Sequence, residues 1–92
     1  MVFVRTLVER RLVACGTVMP EARSIYRWEG RVTDATEVVV MLKTTAVRLP
    51  ALKAAFDEIH PYSVPELLAL PVQDALERYL AWIGAETSSA GT

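Results

Sequence analysis

The 92-residue chain holds one cysteine, Cys15, and one histidine, His60. A single thiol permits no internal disulfide and fits a reducing, cytoplasmic setting. A single imidazole denies one chain a histidine pair for a metal or a choice of base for a Ser-His-Asp set. Long apolar runs are missing too: Val38–Leu42 falls far short of the ~20 residues a spanning helix needs. Residues 1–13 are broken by Arg5, Glu9, Arg10 and Arg11 and do not read as a signal peptide. Nor is there an excess of positive charge. Ten Lys and Arg against eleven Asp and Glu give a net charge of -1, with no basic run to track a phosphate backbone, so nucleic acid is not an expected partner. There is no Gly-rich phosphate loop, CxxC pair, HExxH or GxSxG, and no carboxylate pair that spacing nominates for acid–base work. The sequence therefore nominates no enzyme.

What is there is apolar. Hydrophobic residues make up 52% of the chain and charged ones 23%, a balance that excludes a disordered polypeptide. A single domain of this size buries only roughly 60–65% of its unfolded surface, yet the mean hydropathy is +0.26. Surplus apolar surface of that kind is expected to meet another subunit.

Periodicity orders the elements as α-β-β-α-β-α. Residues 3–12, FVRTLVERRL, put Phe3, Leu7 and Val8 on one helical face. From Val13 the chain turns β-rich, with Pro20 predicted to kink one long strand at an edge or bulge. The polar stretch Thr33-Asp34-Ala35-Thr36 and the run EVVVMLK, apolar on both faces as a buried central strand would be, suggest a long hairpin. A turn at Glu29-Gly30 is the alternative. Thr44 or Thr45 can cap a second helix with Leu49, Leu52, Phe56 and Ile59 on one stripe, stopped by His60-Pro61. VPELLALPV reads as a short strand between Pro65 and Pro71, and Asp74 opens a last helix carrying Leu76, Tyr79, Leu80 and Ile83. One domain over residues 1–87 and a flexible tail over 88–92 complete the reading, in the α+β class of a helix-backed, mainly antiparallel sheet.

The segment RSIYRWEGR carries the aromatic candidates. Alternation puts Ser24, Tyr26 and Trp28 on one face of the strand and Ile25 and Arg27 on the other. Aromatics of this kind suit a subunit interface or a ligand-stacking wall, and both hold if the cleft lies between subunits. Cys15, between Ala14 and Gly16, reads first as a small buried hydrophobe and second as a candidate soft-metal ligand. Lys43 ends a strand and Glu66 begins one, so each can line a cleft or simply face solvent. His60, at a helix end, is most often a capping or packing residue; a threefold oligomer would turn one histidine into three.

LVERRLVAC, RSIYRWEGRV, LKTT, HPYSVPELLALPV and YLAWI, in that order and spacing, resemble the CutA divalent-cation tolerance family over residues 7–83. The resemblance implies a ferredoxin-like sandwich with a long hairpin, a cytoplasmic homotrimer related in architecture to PII signalling proteins, a non-enzymatic role and a link to copper or another divalent cation. It maps the family's cleft onto Tyr26, Trp28, Lys43, His60, Tyr62, Glu66 and Trp82, with His60 at a metal-ligating position. Imidazole suits Cu(II), and Glu66 can add a carboxylate oxygen. A second histidine beside that position in some relatives is replaced by Ile59. Family members open with a β-strand before the first helix, and its apparent absence here leads to the expectation of an N-terminally truncated chain. The rival role is a PII-like signalling or scaffold trimer holding a small anion or a protein partner, for which Lys43 and Arg27 would matter most.

Overall fold

Apolar spacing becomes a helix at once. The computed structural model describes residues 2–59 and 66–88, and its first element, α1 (Val2–Glu9), buries Val4 and Leu7 while Arg5 and Glu9 stay exposed. The periodicity predicts residues 3–12, but the helix stops earlier in a Schellman turn. Leu12 N donates to the Leu7 carbonyl and Arg11 N to the Val8 carbonyl, both at 3.0 Å. Arg11 takes a left-handed φ of 59°, and Leu12 folds back beside Leu7 in the core. Glycine usually occupies that left-handed position, and its absence hid the helix end.

Arg11→Gly is accordingly expected to stabilise the fold. It removes a penalty of about 1 kcal/mol for a side chain in left-handed backbone. The side-chain links it loses, from Arg11 Nη1 to the Glu86 carboxylate at 3.9 Å and to the Glu86 carbonyl at 3.4 Å, are exposed and worth little. A thermal melt should rise by roughly 5 °C; a fall would show that the links to Glu86 dominate.

Beyond the turn, β1 (Cys15–Trp28) and β2 (Arg31–Lys43) form a two-stranded antiparallel hairpin. The turn sits at Glu29-Gly30, with φ of 50° and 78°, the two left-handed residues of a type I′ connection. Thr33–Thr36, the favoured turn in the sequence reading, lies inside β2. Its polar residues do not break the strand because a solvent-facing hairpin needs no apolar partner there. Pairing runs from Cys15 with Lys43 to Met19 with Val39, then resumes at Ala22 with Glu37 and ends at Trp28 with Arg31. Pro20 and Glu21 thus stand together against Val38, the bulge that Pro20 foretold, with Glu21 at a φ of 62°.

A crossing loop ties the hairpin to the helices. Thr44 Oγ1 donates to the Leu12 carbonyl at 2.6 Å and Arg48 Nε to the Arg11 carbonyl at 3.2 Å. Thr45 occupies the N-cap of a short 3-10 turn, Ala46–Arg48, without a side-chain cap bond, so neither threonine caps as expected. α2 (Leu49–Ile59) follows, and Leu52, Ala55 and Phe56 close the core with Leu7, Leu12 and Val13. The Phe3 and Phe56 rings meet edge to face at 5.1 Å. The predicted stop at His60-Pro61 lies outside the described residues.

The expected strand after α2 is not formed in its described part. Residues 66–76 are irregular, and Leu68, Leu70 and Val72 are 77%, 84% and 74% exposed. Only Leu67 packs against the core. Strand propensity without a neighbouring ladder leaves backbone and side chains in solvent. Val38, Val39 and Met41, expected in a buried central strand, are exposed because among the described residues the sheet has only two strands and β2 has one neighbour.

The last helix, α3 (Glu77–Glu86), starts three residues after Asp74, whose carboxylate instead accepts from the Ala75 N–H at 2.9 Å. Ile83 is its buried residue. Thr87, just past the end of α3, is buried and donates from its hydroxyl to the Ile83 carbonyl at 2.8 Å. The radius of gyration, 15.0 Å, exceeds the ~12 Å of a compact chain of this length. The hairpin accounts for the excess by reaching away from the core.

Candidate functional site

Four of the site residues named from the sequence, Cys15, Lys43, Tyr26 and Trp28, fall at two ends of one hairpin face. At the base, Lys43 stands opposite Cys15, and its Nζ donates to Thr17 Oγ1 at 2.8 Å and to the Met41 carbonyl at 3.4 Å. Cys15 Sγ lies 3.7 Å from the Tyr79 hydroxyl, and the Tyr79 ring sits 5.8 Å from that of Trp82 at a 30° tilt. The Cys15 contact, then partial burial, then the thiolate's charge hold the Tyr79 hydroxyl protonated beyond the ordinary phenol range. The base is thus a thiol, an ammonium, a hydroxyl and two stacked aromatics.

Tyr26 and Trp28 lie at the other end, opposite Thr33 and Arg31 and 40% and 51% exposed. The thirteen residues of β2 between the two ends put them roughly 40 Å apart. Yet they share a face. Along β2 the odd-numbered residues from Arg31 to Lys43 point one way, and their partners are Cys15, Thr17 and Met19 before the bulge and Ala22, Ser24, Tyr26 and Trp28 after it. The bulge exchanges odd for even on β1 and so keeps Tyr26 and Trp28 on the side of Cys15. Ser24 Oγ donates to the Glu37 carboxylate at 2.8 Å on that face. On the other, Arg23 pairs with Asp34 at 3.7 Å.

Glu66 is exposed at the start of the described irregular segment, away from the hairpin in sequence. His60 and Tyr62 lie outside the described residues. Among the described residues no three His, Cys, Asp or Glu side chains gather as a metal set. Cys15 has the Tyr79 hydroxyl as its polar neighbour, which is not a metal-binding set by itself. Two surface depressions, of about 130 Å³ beside Arg11 and Glu86 and about 380 Å³ between α1 and β1, contain none of the predicted site residues. No helix of the described residues is long and apolar enough to cross a membrane.

Sequence reasoning missed Thr17 and Tyr79. Thr17 follows Cys15 by two and so shares its face, a signal that alternation alone provides. Tyr79 was hidden in an apolar helical stripe, where its hydroxyl looked incidental.

Comparison with known proteins agrees with the motif series. The family model described as CutA1 divalent ion tolerance protein matches residues 1–86. The divalent-cation tolerance protein CutA of Thermus thermophilus is 42% identical over 83 residues, covering 90% of this chain and 81% of that one. Its solved structure superposes with a TM-score of 0.91 over 95% of this chain and 84% of that chain, at 40% identity. Protein CutA of Mus musculus is 41% identical over 92% of this chain but only 48% of its own, so the chain spans about half of that relative. A PII-like protein CutA from Nostoc superposes with a TM-score of 0.86 at 36% identity, covering 92% of this chain and 83% of that one. With the ferredoxin-like α+β fold of these neighbours and a family match along nearly its whole length, the chain belongs to the CutA1 divalent ion tolerance protein family.

Proposed function

We propose that the protein acts in tolerance of divalent cations as a non-enzymatic homotrimer, binding Cu(II) or another divalent ion in clefts between its subunits. The observation that carries this reading is the division of the candidate residues between the hairpin tip and the hairpin base, on one face and roughly 40 Å apart. Tyr26 and Trp28 of one copy can wall a cleft with Lys43 and Trp82 only if the base comes from another copy. The exposed Val39 and Met41 on the same face supply apolar area for that contact. His60 is the proposed ligand, with Tyr62 and Glu66 near it in sequence and Cys15 as the softer donor. The absence of a metal set among the described residues of one chain agrees with ligands gathered from several copies or from the 60–65 segment. The proposed setting is the cytoplasm, where a lone thiol stays reduced.

The anion-binding alternative needs Arg27 beside Lys43. Arg27 faces opposite to Tyr26, Trp28 and Lys43 on the hairpin, which weighs against it.

Two measurements test the proposal. Light scattering on the eluting protein should give three times the 10.2 kDa of one chain. Copper titration by calorimetry should show binding that weakens by roughly tenfold or more in His60→Ala, as loss of a direct ligand does. A monomer, or a titration that the substitution leaves unchanged, would remove the reading.

A further inference from the structure

The β1 sequence can pair with β2 in two ways, and only one of them presents Tyr26 and Trp28 on the face of Cys15 and Lys43. We propose that opposed charges in the outer half of the hairpin select that register, with Glu37 and Arg31 acting as positioning residues for the two aromatics. The inference deepens the cleft reading in its consequence, although the register itself is independent of any ligand.

The alternative register continues the inner ladder without a bulge. Cys15 with Lys43 through Met19 with Val39 is common to both. Without the extra residue at Pro20-Glu21, the next partners are Pro20 with Val38, Glu21 with Glu37, Ile25 with Thr33, Tyr26 with Val32 and Arg27 with Arg31. Residues 28–30 then form a three-residue loop with Gly30 at its end, a length that hairpins commonly accept. Loop length and turn chemistry therefore permit the slip, and both strands of a two-stranded hairpin are edges, where a proline such as Pro20 is tolerated. A slip of one residue moves every side chain of the outer β1 to the other face, so Tyr26 would leave the face of Lys43.

Electrostatics separates the two. The slipped register sets Glu21 against Glu37 and Arg27 against Arg31, two like-charge pairs directly opposed. The observed register relieves both. It sets Ala22 against Glu37 and Trp28 against Arg31, lets Ser24 donate to the Glu37 carboxylate at 2.8 Å, and brings Arg23 to 3.7 Å from Asp34. Against these gains stands one strained residue, Glu21 at a φ of 62°. Four cross-strand terms of ordinary size outweigh one left-handed residue, so the bulge is kept because it separates like charges.

Reversing the two positioning charges should reverse the choice. In Glu37→Lys/Arg31→Glu the slipped register gains a Glu21 pair and an Arg27 pair, while the observed one loses the Ser24 bond. Disulfide traps in a Cys15→Ser background read the register directly. Ile25→Cys with Asp34→Cys closes the observed register, in which these residues are partners, and Ile25→Cys with Thr33→Cys closes the slipped one. With native charges the first trap should close roughly tenfold faster under mild oxidation; with reversed charges the preference should invert. Should the reversed chain fail to fold, Glu21→Gln provides the second arm. It removes the like charge that would face Glu37 in the slipped register while leaving the left-handed backbone in place, and it should narrow the preference for the first trap; an unchanged preference counts against the proposal. Equal closure of both traps with native charges, or an unchanged preference after charge reversal, overturns the proposal. A register that inverts while copper binding and trimer mass stay unchanged supports the charge-set register and counts instead against the cleft reading of Tyr26 and Trp28.

Discussion

Leu7→Ala should lower the free energy of unfolding by about 3–4 kcal/mol, a large part of the total stability of a domain this size. Leu7 is fully buried and belongs to one core cluster with Leu12, Val13, Leu52, Ala55 and Phe56, where α1, the turn after it and α2 converge. Its carbonyl also accepts the Leu12 N–H that closes α1, so the residue serves the helix end and the core together. Truncation leaves a cavity that the surrounding residues can fill only by moving α1 over α2, and the left-handed Arg11 resists that motion. Urea unfolding followed by circular dichroism gives the midpoint and slope for the substitution. Leu70→Ala is the companion variant, since Leu70 is the most exposed leucine of the irregular segment. Its cost should stay within about 0.5 kcal/mol of zero. A Leu70→Ala cost as large as that of Leu7→Ala would mean that assembly buries the segment, and a concentration-dependent midpoint would identify that cause.

The inner architecture was legible because periodicity and steric chemistry act locally. Leu49, Leu52 and Phe56 announced a buried helix stripe, and Pro20 announced an interruption in a strand; both signals depend on neighbours within one or two turns of chain. The Glu29-Gly30 turn competed with the polar Thr33–Thr36 stretch because polarity indicates solvent, and a projecting hairpin is solvated along its length. The segment after Pro65 failed for a non-local reason. VPELLALPV has the composition of a strand, but a strand requires a ladder, and the described part of this one has none. The candidate site was legible as residue types and illegible as an arrangement. Tyr26, Trp28, Lys43 and Trp82 could be named from motifs, whereas their division between two ends of a hairpin depends on a bulge and a turn that place residues distant in sequence in register.

Gly16→Ala is the second large effect, and its sign is opposite to the usual one. In a strand interior, replacing glycine normally stabilises by about 0.5–1 kcal/mol because the unfolded chain loses freedom. Here a Cβ would lie 2.6 Å from Val4 Cγ1 and 2.9 Å from Leu42 Cδ2. The Leu42 methyl can swing aside at modest expense. Val4 cannot, because a β-branched side chain in a helix has essentially one χ1 state, so α1 as a whole must retreat from β1. The expected outcome is a loss of about 1–3 kcal/mol. Val4→Ala removes the clashing methyl at the cost of a cavity, and the double variant should then be more stable than the sum of the single effects predicts. A coupling of roughly 1–2 kcal/mol in the double-mutant cycle would assign the effect to this contact, whereas additive effects or a stabilised Gly16→Ala would mean that α1 is not held against the strand. The contact also bears on the site. Gly16 turns toward α1 while its neighbours Cys15 and Thr17 turn toward Tyr79 and Lys43, so a strand displaced by the added methyl carries the thiol and hydroxyl away from their partners. The Tyr79 titration should therefore move toward that of an ordinary phenol in Gly16→Ala and return in the double variant, linking the close approach of α1 to β1 to the polar cluster on the opposite face of the strand.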